Sequence, residues 1–145
     1  MRSVFFLCFL LISVKGWSQT EITWETLTDV EFSRKYFEEV DGYMYYPHFG
    51  ETVKALEGEE VYLKGYMLPI DPKEGIFVLS RSPFASCFFC GNAGPETIVE
   101  LLLKPDYPRF KMDQVVTMKG RLKLNQDDID YCNYILEDAE LHIKW

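Results

Sequence analysis

The chain has 145 residues, 48% hydrophobic and 16% aromatic, with 15 lysines and arginines against 23 aspartates and glutamates. This composition can build a core and lies outside the disordered class, and the length suits one domain. The net charge of -8 opposes general binding to nucleic acid or anionic lipid, since the first rests on neutralising phosphate and both on positive charge.

The opening "MRSVFFLCFLLISVKGWSQ" joins a basic start at Arg2 to an apolar run from Val4 to Val14, then to small residues at Gly16 and Ser18. That is the pattern of a secretory signal peptide. The run is shorter than the ~20 residues that span a bilayer. Residues 1–18 are expected to be removed, and Cys8 with them. The mature chain then keeps 13 of its 15 basic residues against 23 acidic ones, and three of its four cysteines. An exported protein, periplasmic or secreted, with no transmembrane span after leader removal is the expectation.

In "TLTDVEFSRKYFEEV", Val30, Tyr36, Phe37 and Val40 fall near one helical face, with Thr28 or Asp29 able to cap its start. The spacing predicts a short N-terminal helix ended by Gly42. "YMYYPHFG" follows as an extended aromatic arm, because the residue before a proline avoids the α region. "ETVKAL" adds a helical turn closed by Gly58. Residues 19–58 are thus expected to pack as helix and arm on what comes next.

From Val61 the period changes to two. Val61, Leu63, Gly65 and Met67 alternate with Tyr62, Lys64, Tyr66 and Leu68, which predicts a half-buried strand. "PIDPKEG" reads as a turn, "IFVLS" and "TIVELLL" as strands, and "KPDYPRFKMD" as a loop. "QVVTMKGRLKLN" is a long fourth strand, and "NYILEDAELHI" a fifth with a bulge near Glu137. Gly65 and Gly120, each inside a long strand, mark tight bends. Residues 59–145 therefore predict a mainly β domain, a small five-stranded OB-like barrel.

Three stretches, "PHFGETVKALEGEEVYLKGYMLPID", "FVLSRSPFASCFFCGNAGPETIVEL" and "VTMKGRLKLN", resemble a family of small exported Gram-negative bacterial proteins of unknown function. Its members join a Gly-Tyr-Met-x-Pro strand end to a Cys-Phe-Phe-Cys-Gly-x-x-Gly-Pro-Glu segment. The resemblance implies a periplasmic or exported setting and an OB-like core, with no activity attached.

The segment "SCFFCGNAGPE" holds the densest chemistry. Covalent haem attachment needs a histidine where Gly91 stands. A thioredoxin-like couple of Cys87 and Cys90 needs its first thiol at the start of a helix, and a glycine-rich turn follows instead. A metal site is open: Cys87 and Cys90 have knuckle spacing, Cys132 would be a third thiolate, and zinc or copper is the matching ion. In an oxidising compartment the pair would alternatively close a small disulfide. Gly91, Gly94, Pro95 and Glu96 read as a tight turn feeding the next strand. A second candidate is a strand face: Tyr62, Lys64 and Tyr66 would lie beside Lys119, Arg121 and Lys123 if their strands are neighbours. OB-folds use such faces for stacking ligands, here a protein, peptide or carbohydrate of the cell envelope. The sequence thus leads to an exported binding or accessory module that catalyses nothing, with a thiol–disulfide protein and a disulfide-stapled assembly protein as alternatives.

Overall fold

Alternation from Val61 onward becomes a closed barrel. The computed structural model describes residues 20–91 and 93–142; the signal peptide expected over 1–18, with Cys8, lies outside the described residues. In chain order the strands are β1 (Thr20–Glu21), β2 (Val30–Phe37), β3 (Gly42–Phe49), β4 (Glu60–Asp71), β5 (Ile76–Ser80), β6 (Ile98–Leu103), β7 (Gln114–Leu124) and β8 (Tyr134–Leu141). One helical turn, α1 (Glu51–Lys54), stands between β3 and β4. Among the described residues no helix is long and apolar enough to cross a membrane.

The sheet runs β1-β4-β5-β6-β8-β7, and β4 pairs with β7 as well, so β4 to β8 close on themselves. The β6–β8 pair is parallel, while β4–β5, β5–β6, β7–β8 and β4–β7 are antiparallel. Inward side chains including Val61, Leu63, Met67, Phe77, Leu79, Val99, Leu101, Met118 and Leu136 form the main core. One end is plugged by Leu27, Phe49 and Val53. There the Tyr134 ring meets Phe49 edge to face, and its hydroxyl donates to Leu27 O at 2.7 Å. Burial, reinforced by the Glu96 and Asp29 carboxylates, holds that hydroxyl well above its ordinary pKa.

The bulge is where the sequence places it. Lys119 faces Glu140 and Arg121 faces Glu137, so Gly120 stands opposite both Asp138 and Ala139. Asp138 takes the left-handed conformation at φ 50°, and β8 bends there. "PIDPKEG" is shorter as a turn than expected: β4 continues to Asp71, because Pro69 and Asp71 still pair with β5 across a register shift at Ile70.

The predicted N-terminal helix is a strand. Residues 30–37 pair antiparallel with residues 42–49, Val30 opposite Phe49 and Phe37 opposite Gly42. The arm is the other half of this ribbon, a two-stranded sheet separate from the barrel sheet. The loop turns through a short 3-10 segment, Glu38–Val40, with Asp41 left-handed at φ 46°. Valine and aromatics in β2 favour a pleated surface. Cross-strand partners complete it: Tyr36 meets Tyr43 edge to face and the Arg34 guanidinium lies over Tyr43. The helical spacing of Val30, Tyr36, Phe37 and Val40 was compatible with either state, and only the partner strand decides between them.

Gly65 shows why β4 can bend. A Cβ there would stand 2.7 Å from the Ser80 carbonyl oxygen and 2.9 Å from the Trp24 ring, and Trp24 is held across the strand by its indole N–H donating to Lys64 O at 2.9 Å. Gly65→Ala should therefore lose about 1–3 kcal/mol of stability through overpacking. Gly42→Ala, whose Cβ would meet only Val40 O at 3.5 Å, should stay within about 1 kcal/mol of the wild type. Urea unfolding of the two variants checks the difference, and equal losses would discount the close approach at Gly65.

Candidate functional site

Three neighbouring barrel strands are apolar on both faces over part of their length. Their inward residues belong to the main core, but Leu68 of β4, Val78 of β5 and Ile98 of β6 form a second buried cluster with Cys87. Leu68 pairs with Val78, and successive strand residues alternate between faces, so this second cluster lies on the outside of the barrel. Phe88 and Cys132 pack against it. The cover is incomplete: Ile70, Ile76 and Leu102 are 39%, 42% and 37% exposed.

The Cys-Phe-Phe-Cys segment is part of that cover. Asp113, left-handed at φ 59° just before β7, accepts a 2.8 Å hydrogen bond from Phe84 N–H. Phe84 O in turn accepts from Cys87 N–H at 3.3 Å and from the Cys90 thiol at 3.1 Å. Two short 3-10 turns, Phe84–Ser86 and Phe88–Cys90, end at Gly91, left-handed at φ 72°. The two cysteines therefore sit in opposite surroundings, Cys87 fully buried and Cys90 exposed. Phe88 turns to the cluster, and Phe89 stays 46% exposed. Gly94 O then accepts from the backbone and the hydroxyl of Thr97, and the Pro95–Thr97 turn leads into β6.

Cys132 comes from the β7–β8 loop, which is organised by one buried side chain. The Asn125 amide donates to the carbonyls of Asp128, Tyr131 and Cys132 at 2.7, 3.2 and 3.2 Å, and its oxygen accepts from Asp128 N–H at 3.0 Å. Cys132 N–H donates to the Glu100 carboxylate at 2.9 Å. Burial, and then the charge and hydrogen bond of Glu100, push the Cys132 thiol up to about 12. All three thiols are free, and among the described residues no three His, Cys, Asp or Glu side chains converge as metal ligands. Cys87, Cys90 and Cys132 are thus brought to one region without forming a three-thiolate set for zinc or copper.

The β2–β3 ribbon supplies the opposite wall. It is tied to the β7–β8 loop by the Lys35–Asp127 ion pair at 2.8 Å and by Gln126 donating to Pro47 O at 2.9 Å. Between ribbon, loops and barrel lies a cavity of about 590 Å³, with Met44, Tyr45, Ile76, Phe89, Leu102 and Tyr131 among its lining residues. Glu74, Glu100, Asp128 and Asp130 also line it. That volume is within the ~300–1,000 Å³ range of ligand sites.

The predicted tyrosine–cation face comes together at one pair only, since Lys64 and Tyr66 stand opposite Thr117 and Val115 and Arg121 stands opposite Glu60. Tyr62 stands opposite Lys119 on β7, yet it is buried and meets the His142 ring at 4.6 Å. Lys119 pairs with Glu140 at 2.6 Å and Glu60 at 3.8 Å; Arg121 pairs with Glu137 and Asp138, and Lys123 with Glu137 at 3.5 Å. The Glu140 contact raises the Lys119 pKa, and Lys119 and Lys104 lower that of Glu140. Lys64 is exposed and Tyr66 half-buried. His48 shares a 2.8 Å hydrogen bond with Ser33, away from the cysteines.

The groove was missed in the sequence, although a signal existed. "IFVLS" and "TIVELLL" are continuous apolar runs rather than alternating ones, the mark of strands covered on both faces. The environments of the thiols yield a direct prediction. Iodoacetamide should modify Cys90 first and reach Cys87 and Cys132 only on unfolding; equal rates would contradict the packing. The folded pKa of Cys132 lies above its ordinary 9.0, so its contribution to stability is complete below that pH. It is lost as pH rises towards about 12. Cys132→Ala should accordingly lose less stability than the wild type across that window in urea titrations.

No known protein family matches the sequence, and neither does any curated protein. Among solved structures, the chain is similar to a DUF3299 family protein (PA4066) from the Gram-negative bacterium Pseudomonas aeruginosa PAO1. The two share 15% identity with a TM-score of 0.53, over 88% of this chain and 99% of that one. The likeness is one of fold.

Proposed function

We propose that this chain is an exported binding or accessory module, and that its ligand seats an apolar surface in the groove over the outer face of β4, β5 and β6. One observation carries the reading: a strip of barrel exterior that is apolar, partly sealed by Cys87, Phe88 and Cys132, and left open at Ile70, Ile76 and Leu102. Leaving such a patch in water forgoes about 25 cal/mol for each square ångström of apolar surface that a ligand would cover, and contiguous exposed patches mark binding sites.

The Arg2 to Ser18 leader pattern supports export. The strand order and the parallel β6–β8 pair support the OB-like description of the barrel. Metal binding and thiol–disulfide exchange at Cys87 and Cys90 draw less support, since Cys87 is enclosed in an apolar cluster and Cys90 is bonded to Phe84 O. In this reading the Cys-Phe-Phe-Cys segment is a lid for the second cluster and presents Phe89 to the ligand.

The test uses Nile red, a neutral apolar dye, with the mature chain. Its fluorescence should rise on binding, and Ile76→Lys or Leu102→Asp should weaken binding by about tenfold or more, the cost of placing a charge against an apolar ligand. Both positions are exposed in the free protein, so thermal melts should change little. Variants that bind the dye as the wild type does would place the apolar site elsewhere.

A further inference from the structure

The groove has a sign as well as an apolar floor. Glu74, Asp128 and Asp130 line it alongside Glu100, and among the described residues that line it there is no lysine or arginine. Glu100 receives the Cys132 N–H and Asp128 the Asp130 N–H, and among the described residues none of the four is ion-paired with a lysine or arginine. Lys35, on the neighbouring ribbon, is matched by Asp127, and Lys73 lies exposed in the β4–β5 turn outside the lining. Four carboxylates around one apolar surface repel an anionic partner and attract a cationic one.

The groove wall also carries an open strand edge. Among the described residues β3 pairs with β2 alone, so on its outer side it presents backbone donors and acceptors. Met44 and Tyr45 place that strand on the groove wall, with Tyr45 61% exposed. Pro47 has no N–H and its carbonyl is taken by Gln126, so strand addition would use the stretch of β3 before it, around Tyr43 and Tyr45. A free edge beside side-chain pockets is the arrangement that captures extended peptides by strand addition, backbone bonds giving affinity and alternate side chains giving selectivity. A small amphiphile would use the apolar floor and leave this edge unused.

We propose that the occupant is an extended segment of a partner protein, apolar at its centre and flanked by lysine or arginine; this rests on the groove being the binding site. The centre covers Ile70, Ile76, Leu102 and Phe89, the cations meet Glu74, Asp128 and Asp130, and the backbone adds to β3.

The experiment is calorimetric titration of the mature chain with three synthetic peptides sharing one apolar centre and flanked by lysine, serine or glutamate. Nile red binding is followed in parallel. The lysine peptide should bind about tenfold or more tighter than the glutamate peptide at low salt, and the gap should narrow as salt screens the charges. The double variant Glu74→Gln, Asp130→Asn should shrink the gap several-fold while dye affinity stays unchanged. Equal affinities for all three peptides overturn the charge assignment. Dye binding without peptide binding, or retention on phosphatidylcholine vesicles in place of peptide binding, overturns the peptide while leaving the apolar groove intact. Failure of dye and peptides together removes the groove reading as well.

Discussion

Closure of the barrel depends on β4. This twelve-residue strand pairs along its first two-thirds with β7 and along its last half with β5, with Tyr66 and Met67 paired on both sides, so it must serve both neighbours while turning a corner. Gly65 permits this, because the Ser80 carbonyl and the Trp24 ring stand where a side chain would be. Gly120 does the same on β7 against the bulged β8, with the Glu137 carbonyl 2.9 Å from where its Cβ would be. Once those backbones meet, every central strand has two neighbours and the inner side chains have no way out to solvent.

Closing a barrel fills its inside and says nothing of its outside. On most of this barrel the outside is polar: β7 and β8 carry Lys119, Arg121, Lys123, Glu137 and Glu140, which neutralise one another. Pairs so exposed add little stability each, but they keep these strands soluble and leave no net field for a ligand. Where β4, β5 and β6 run side by side, the outer residues include the aliphatic Leu68, Ile76, Val78, Ile98 and Leu102, so the chain must bring cover to them. It does so with two loops far apart in sequence, one giving Cys87 and Phe88 and the other Cys132. Asp113 anchors the first, and Asn125 with Glu100 the second. The cysteines act here as small buried hydrophobes. What the two loops fail to cover becomes the groove, and the ribbon walls it in.

Much of this was legible beforehand. The strands of the barrel, the bends at Gly65 and Gly120 and the bulge near Glu137 all show in local pattern, since alternation and glycine placement act over a few residues. The β2 segment was misread because Val30, Tyr36 and Phe37 satisfy a helical spacing as well as a strand, and its partner β3 lies beyond a turn. The tyrosine–cation face forms only at Tyr62 and Lys119: β4 and β7 are neighbours, but their register sets Lys64 and Tyr66 opposite Thr117 and Val115 and Arg121 opposite Glu60, and the carboxylates beside Lys119, Arg121 and Lys123 come mainly from β8 across the sheet.

The sequence by itself determined the inward face of the barrel, its corners and its net negative charge, because periodicity, backbone freedom and composition are properties of short stretches or of simple sums. Only the tertiary structure decided which cysteine is buried, which cations are spent on partners, and which apolar residues remain uncovered. Burial is a relation between segments: Cys87 and Cys90 are three residues apart and differ only in what the rest of the chain lays against them.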